Sequence, residues 1–313
     1  MKQKKKITTI HVLMFLITQL IGIPIVGFYN SPDNILPYGM EPPQEIQEKP
    51  QGFSILFAFV LAIGLFFLLT KINATKLIRI WFFIVTIIAL ALSLNAILTV
   101  SDIFFFNSYL PYISLMAVII GIPLAYIKIF KRNVIIHNLT ELFIYPGIAA
   151  VFVPILNIIW IILLLFLISL YDIWAVWHTE FMQKMAHYQM NNLRIFTGFF
   201  IPYAGKKQKE KIKLLKQKYK NKSEKEMEKA FRKERIKVNL AILGGGDVIF
   251  PIIAAGIFFK VFNSVIPALI IALFSTIALL ILFILARKGK FYPAMPFLTI
   301  GIYLGMIVSW LLL

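Results

Sequence analysis

Long apolar runs separated by short polar breaks fill most of the 313 residues, and most of the runs are long enough to cross a bilayer. About 20 apolar residues span the hydrocarbon as an α-helix. The pattern predicts nine such helices, near 7–29, 52–70, 78–100, 109–127, 138–156, 157–177, 238–259, 264–286 and 291–313. The fold class this implies is all-α, a polytopic membrane protein. The fifth and sixth helices are divided only around Pro154 and Asn157, because 138–177 is otherwise nearly continuous. The long polar stretch 178–237 then splits the chain into a six-helix membrane subdomain (1–177), a basic loop (178–237) and a three-helix membrane subdomain (238–313).

Composition strengthens the membrane reading. Hydrophobic residues make up 60% of the chain and charged residues 15%, against the roughly 45–50% apolar usage of soluble domains. Cysteine is absent, which excludes disulfides and thiolate metal sites. The basic start, Met1 to Lys6, precedes an apolar run to Tyr29 that is too long for the core of a signal peptide. It reads as an uncleaved first span.

Charge then sets the direction. An odd number of spans puts the termini on opposite sides, and cytoplasmic loops collect Lys and Arg. With the N-terminus cytoplasmic and the C-terminus outside, 30 of the 32 Lys and Arg fall on the inner side, 17 of them in 178–237; only Lys49 and Lys260 fall outside. The basic loop suits contact with anionic lipids. No recognition motif accompanies it, so nucleic acid is not an expected partner. The outer segment 30–51 holds five prolines and should be extended, and Ser223 with Glu226 fits a capping box within the inner loop.

Two aspartates change the picture. Asp172 in LISLYDIWAV and Asp247 in LGGGDVIFP stand out as the only acidic residues deep in apolar runs, with no Lys or Arg expected at their depth. An intramembrane carboxylate costs at least ~2.5 kcal/mol and is by default a functional residue. Measured along helices to the nearest inner-side charge, Asp172 lies about 12 Å deep and Asp247 about 15 Å. Two carboxyls meeting without a cation can share one proton, one acting as base and the other as acid. Gly244, Gly245 and Gly246 clear side chains from in front of Asp247; glycines also serve tight helix packing in lipid. Tyr171 could orient Asp172 or simply pack. Pro293, Ala294 and Met295 open the last span, where proline leaves backbone groups outside the helix ladder or just begins the first turn. Pro267-Ala268-Leu269 starts the eighth span on the opposite side and is taken as a chance match.

These residues resemble the presenilin and signal peptide peptidase family of intramembrane aspartyl proteases, most closely its archaeal members. The family's Tyr-Asp, Gly-x-Gly-Asp and Pro-Ala-Leu motifs are similar to Tyr171-Asp172, Gly244-Gly245-Gly246-Asp247 and Pro293-Ala294-Met295 here. Met295 departs from the usual leucine, a volume-conserving change. Pro251, four residues after Asp247, is similar to the signal peptide peptidase branch. The resemblance implies a presenilin-like fold of nine spans. It further implies cleavage of transmembrane or signal-peptide helices, with Asp172 and Asp247 catalytic and Tyr171, Gly244–Gly246 and Pro293–Met295 shaping the site. No cofactor or metal is implied, and no partner subunit is identifiable. An extended substrate is expected to pair with the chain just before the seventh span, 237–243.

Two other classes fit the aspartates alone. A proton- or cation-coupled transporter could use them as relay or ion ligands, although no inverted repeat is evident. An inactive scaffold that binds membrane helices would keep the same sequence. A serine or zinc protease is disfavoured because the four histidines, His11, His137, His178 and His187, are read as lying near span ends or in loops.

Overall fold

The computed structural model describes residues 2–31, 34–41, 74–106, 112–131, 133–178, 197–203, 239–286 and 292–312, with single positions at 57, 61, 64–65, 68, 208 and 214. The predicted second span, apart from those single positions between 57 and 68, and the Ser223–Glu226 capping box lie outside the described residues. The helices are α1 (Lys2–Asn30), α2 (Thr75–Phe106), α3 (Ile113–Tyr126), α4 (Val134–Phe152), α5 (Ile158–Trp177), α6 (Gly245–Phe262), α7 (Val265–Leu285) and α8 (Met295–Leu312). A π-turn, Ile127–Lys131, extends α3. Among the described residues, eight helices are long and apolar enough to cross a membrane.

Local chemistry sets the breaks. Asn157 accepts a bond from the Trp160 N–H at 2.9 Å and starts α5, as an N-cap side chain does for the free donors of a helix start. Asn133 starts α4 in the same way, accepting from Ile135 and Ile136. Asn263 closes α6 in the left-handed region at φ 47°, and Ser264 caps α7 at Ile266. Between α1 and α2, Tyr38 and Gly39 both have positive φ in a non-helical turn. The Tyr38 hydroxyl donates to the Ser114 carbonyl at 2.8 Å, and burial pushes this phenol up to about 12.

The all-α expectation needs one correction. Gly198–Tyr203 (β1) and Asn239–Gly244 (β2) form an antiparallel pair, in register from Gly198 opposite Gly244 to Tyr203 opposite Asn239. The predicted helix 238–259 is therefore a strand up to Gly244 and a helix only from Gly245. The physical reason is the glycine run, since each interior glycine costs a helix about 1 kcal/mol. In addition, Phe199, Phe200 and Ile201 offer a β-favouring partner. A helical rise therefore understates the length of the path to Asp247, since a strand rises about 3.3 Å per residue, and Asp247 sits in the first turn of α6. Strand β1 comes from within the stretch read as a basic loop.

α1 packs against α4, α6 and α7; α2 packs on α3 and α4; α7 and α8 form a close pair, and α5 lies along α8. Close approach depends on small residues: a Cβ at Gly147 on α4 would run into the Ala89 carbonyl on α2. The core joins these helices to the strands through Phe199 and Leu243, both buried.

Candidate active site

Helix α5 is fastened to α8 by polar contacts spaced a helical turn apart on α8. The Tyr303 hydroxyl donates to the Ile162 carbonyl at 2.6 Å. One turn nearer the start of α8, Thr299 and Ser169 bond through their hydroxyls at 2.7 Å. One turn further, the Met295 N–H donates to Asp172 Oδ2 at 3.0 Å. Residues three and four apart share a helix face, so this ladder is the face that α8 turns to α5.

The last rung explains the Pro-Ala-Met stretch. Pro293 and Ala294 precede the helix, and the Ala294 carbonyl accepts the first helical bond, from Leu298 at 3.1 Å. Met295 is thus the first helical residue, and its N–H has no partner inside the helix. The Asp172 carboxylate, 4% exposed, supplies that partner. A helix N-terminus favours negative charge, so the contact suits both groups.

Asp247 is held differently. Gly244 is the N-cap of α6 and Asp247 is the third residue of the helix, half-buried. A Cβ at Gly244 would sit 3.1 Å from Asp247 Oδ2, and one at Gly245 would sit 3.0 Å from the Tyr145 ring. At Gly246 the nearest atom would be a Phe250 ring carbon at 3.8 Å, which is ordinary contact. The glycines at 244 and 245 make room for neighbours already present, whereas the exposed position 246 has space for a methyl group. Pro251 supplies no N–H to the Asp247 carbonyl one turn back. The next carbonyl, Val248, also accepts from the buried Gln19 side chain of α1 at 3.0 Å.

Asp172 and Asp247 lie close enough for the charge of one to act on the other. Pro293 and Met295 are buried beside Asp172. Tyr171 is 46% exposed with its ring beside Trp174, so it faces outward while its neighbour Asp172 faces in. Pro267-Ala268-Leu269 lies in the first turn of α7, where the Pro267 carbonyl accepts from Ser309 near the far end of α8.

The sequence reading missed a second set of buried charges. Glu141 on α4 is 1% exposed, so Asp172 and Asp247 are not the only acidic residues deep in the bundle. Its Oε1 accepts from Lys128 Nζ at 2.6 Å and from the Gly198 N–H at 3.3 Å. His137, one turn before Glu141, is buried and donates from Nε2 to the Gly198 carbonyl at 2.8 Å. His11 is buried as well, so two of the four histidines, each near the start of its span as expected, are nevertheless enclosed by the bundle. The signal was present as His137, Glu141 and Tyr145 at four-residue spacing, a polar stripe along one face of the helix.

Comparison with known proteins bears on the whole chain. A family model described as signal-peptide peptidase, presenilin aspartyl protease matches residues 12–313. The solved structure of a presenilin family intramembrane aspartate protease in space group C222 is similar with a TM-score of 0.59 at 17% identity, covering 98% of this chain and 99% of that one. A structure of a presenilin family intramembrane aspartate protease in space group P2 is similar with a TM-score of 0.58 at 17% identity, covering 97% of each chain. None of the curated proteins matches the sequence.

Proposed function

The chain belongs to the signal-peptide peptidase and presenilin aspartyl protease family, and from that premise we propose that Asp172 and Asp247 are its catalytic pair. It is an integral, multi-pass intramembrane aspartyl protease, which sets aside the transporter and scaffold readings. The observation that carries the assignment is the convergence of two carboxyls from separate helices, with the Pro293-Ala294-Met295 turn bonded to one of them.

The chemistry follows from proximity. A pair holding one proton has a base that takes a proton from water as the water attacks the peptide carbonyl. The protonated partner donates to that carbonyl as negative charge develops on it. Because the working state carries a single shared proton, kcat/KM should fall at both low and high pH. A monotonic profile measured across the titration of the pair would count against the dyad.

Substrates would be transmembrane or signal-peptide helices, unwound near the site because helical backbone bonds are otherwise internal. Strand β2 has β1 on one edge, and its other edge is the place for an extended substrate to add. Proline placed in 239–243 at a position whose N–H faces away from β1 should reduce cleavage while the fold persists. Gly246 keeps the approach clear while Gly244 and Gly245 seat Asp247 and Tyr145; Pro293, Ala294 and Met295 wall the approach, and Tyr171 shields the lipid side. The charge bias supports a cytoplasmic N-terminus, with 52–70 supplying a ninth span and 178–237 dividing the two membrane subdomains. The decisive assay compares cleavage of a labelled single-span substrate by the wild type, Asp172→Ala and Asp247→Ala in lipid. Activity in either variant would overturn the pair.

A further inference from the structure

Helix α4 carries a polar column that reaches from the strands to the catalytic turn. At its base the π-turn brings Lys128 inward to pair with Glu141, both groups almost fully buried. His137 and Glu141 together grip Gly198, one on its carbonyl and one on its N–H. Gly198 has φ 145°, a backbone conformation that side-chain-bearing residues rarely adopt, so the grip falls where only glycine serves. Asn138 holds the next-but-one residue in the same two-handed way, donating to the Phe200 carbonyl at 2.9 Å and accepting from its N–H at 3.2 Å. Gly198 pairs with Gly244 across the strands, and Asp247 follows three residues later.

Tyr145 stands at the top of the column. Its ring packs edge-on against Phe199 at 5.5 Å and lies against Gly245. Tyr145 is 1% exposed, and its hydroxyl has no hydrogen-bond partner among the described residues. Such an orphan costs about 1–3 kcal/mol, and phenylalanine would fill the same space without that penalty. Two carboxyls lie near the hydroxyl, Glu141 with the stronger influence on it and Asp247 with the weaker. Glu141 Oε1 already takes Lys128 and the Gly198 N–H. Asp247, in the first turn of α6 and two residues after the Gly245 that Tyr145 packs on, is the other carboxyl near the hydroxyl.

We propose that Tyr145 is a positioning residue for the reaction, its hydroxyl donating to the Asp247 carboxylate in the substrate-engaged state and fixing that carboxylate's orientation. The column below it sets the height of the hydroxyl by tying α4 to β1, and through β1 to β2 and α6. Substrate pairing along β2 would thereby be transmitted to the carboxyl that does the chemistry.

Tyr145→Phe in the full chain, reconstituted in lipid with a labelled single-span substrate, is the test. A bond to a charged acceptor corresponds to a loss in kcat of about tenfold or somewhat more, with KM unchanged and the thermal midpoint equal to or above wild type. Binding of a peptide carrying a hydroxyethylene isostere at the scissile position should weaken by a similar factor. Full kcat in Tyr145→Phe overturns the proposal, and so does a loss of kcat that follows a fall in the thermal midpoint. The proposal rests on Asp247 being catalytic, so Asp247→Ala is assayed beside it. Cleavage by Asp247→Ala would defeat that reading, whereas an inactive Asp247→Ala with a fully active Tyr145→Phe defeats this one alone.

Discussion

Asp172 and Asp247, the proposed catalytic pair, are held in opposite ways. Asp172 lies inside the regular helix α5, and its carboxylate is bound by the first N–H of a distant helix, 123 residues away in sequence. Asp247 lies in the first turn of its own helix, beside glycines that leave room for it. One carboxyl is positioned by tertiary packing and the other by local backbone. The site therefore depends on two kinds of stability, and each can be disturbed without directly touching the other.

The largest expected effect is common to both sides. Removing either carboxyl should lower cleavage by on the order of 10³-fold or more, and the double variant should lose little beyond either single one, as groups acting as a unit do. Met295→Pro breaks the Asp172 side selectively. Proline is welcome as a first helical residue, but it has no N–H to give Asp172. Its kcat should fall by about tenfold or more below that of Met295→Ala, which loses the side chain but keeps the donor. Equal kcat in the two would show the bond to be idle.

Gly245→Ala disturbs the other side, forcing a methyl onto the Tyr145 ring at a cost of about 1–3 kcal/mol, readable as a lower midpoint in thermal unfolding. Gly246→Ala should leave stability unchanged or raise it by about 0.4–1 kcal/mol. Any loss of kcat/KM in that variant then reports substrate passing over Gly246. Met295→Leu should be the mildest, within about 1.5 kcal/mol of wild type and fully active.

The contrast also explains what could be read in the sequence. Helix α5 was predicted at 157–177 and is found at Ile158–Trp177; α7 was predicted at 264–286 and is found at Val265–Leu285. Both are uninterrupted apolar windows closed by clear caps, so local pattern alone determines them. Asp172 and Asp247 stood out for the same reason, as carboxyls set among apolar neighbours. The strands did not, because Leu240 to Leu243 is an apolar run that looks like the opening of a helix until Gly198–Tyr203 is placed beside it. Glu141 was passed over because its ion pair with Lys128 crosses a helix break and its bond to Gly198 spans 57 residues. Partners brought together only by folding leave no mark in a hydropathy window.

The bond from Met295 to Asp172 makes one backbone amide a gauge of the site. While the carboxylate rests there, exchange of that amide hydrogen with solvent is restrained. An inhibitor or substrate that draws the carboxylate away releases the amide, and the release would register as faster deuterium uptake at the start of α8. Occupancy of the site could thus be followed isotopically in the unmodified protein, with no product formed.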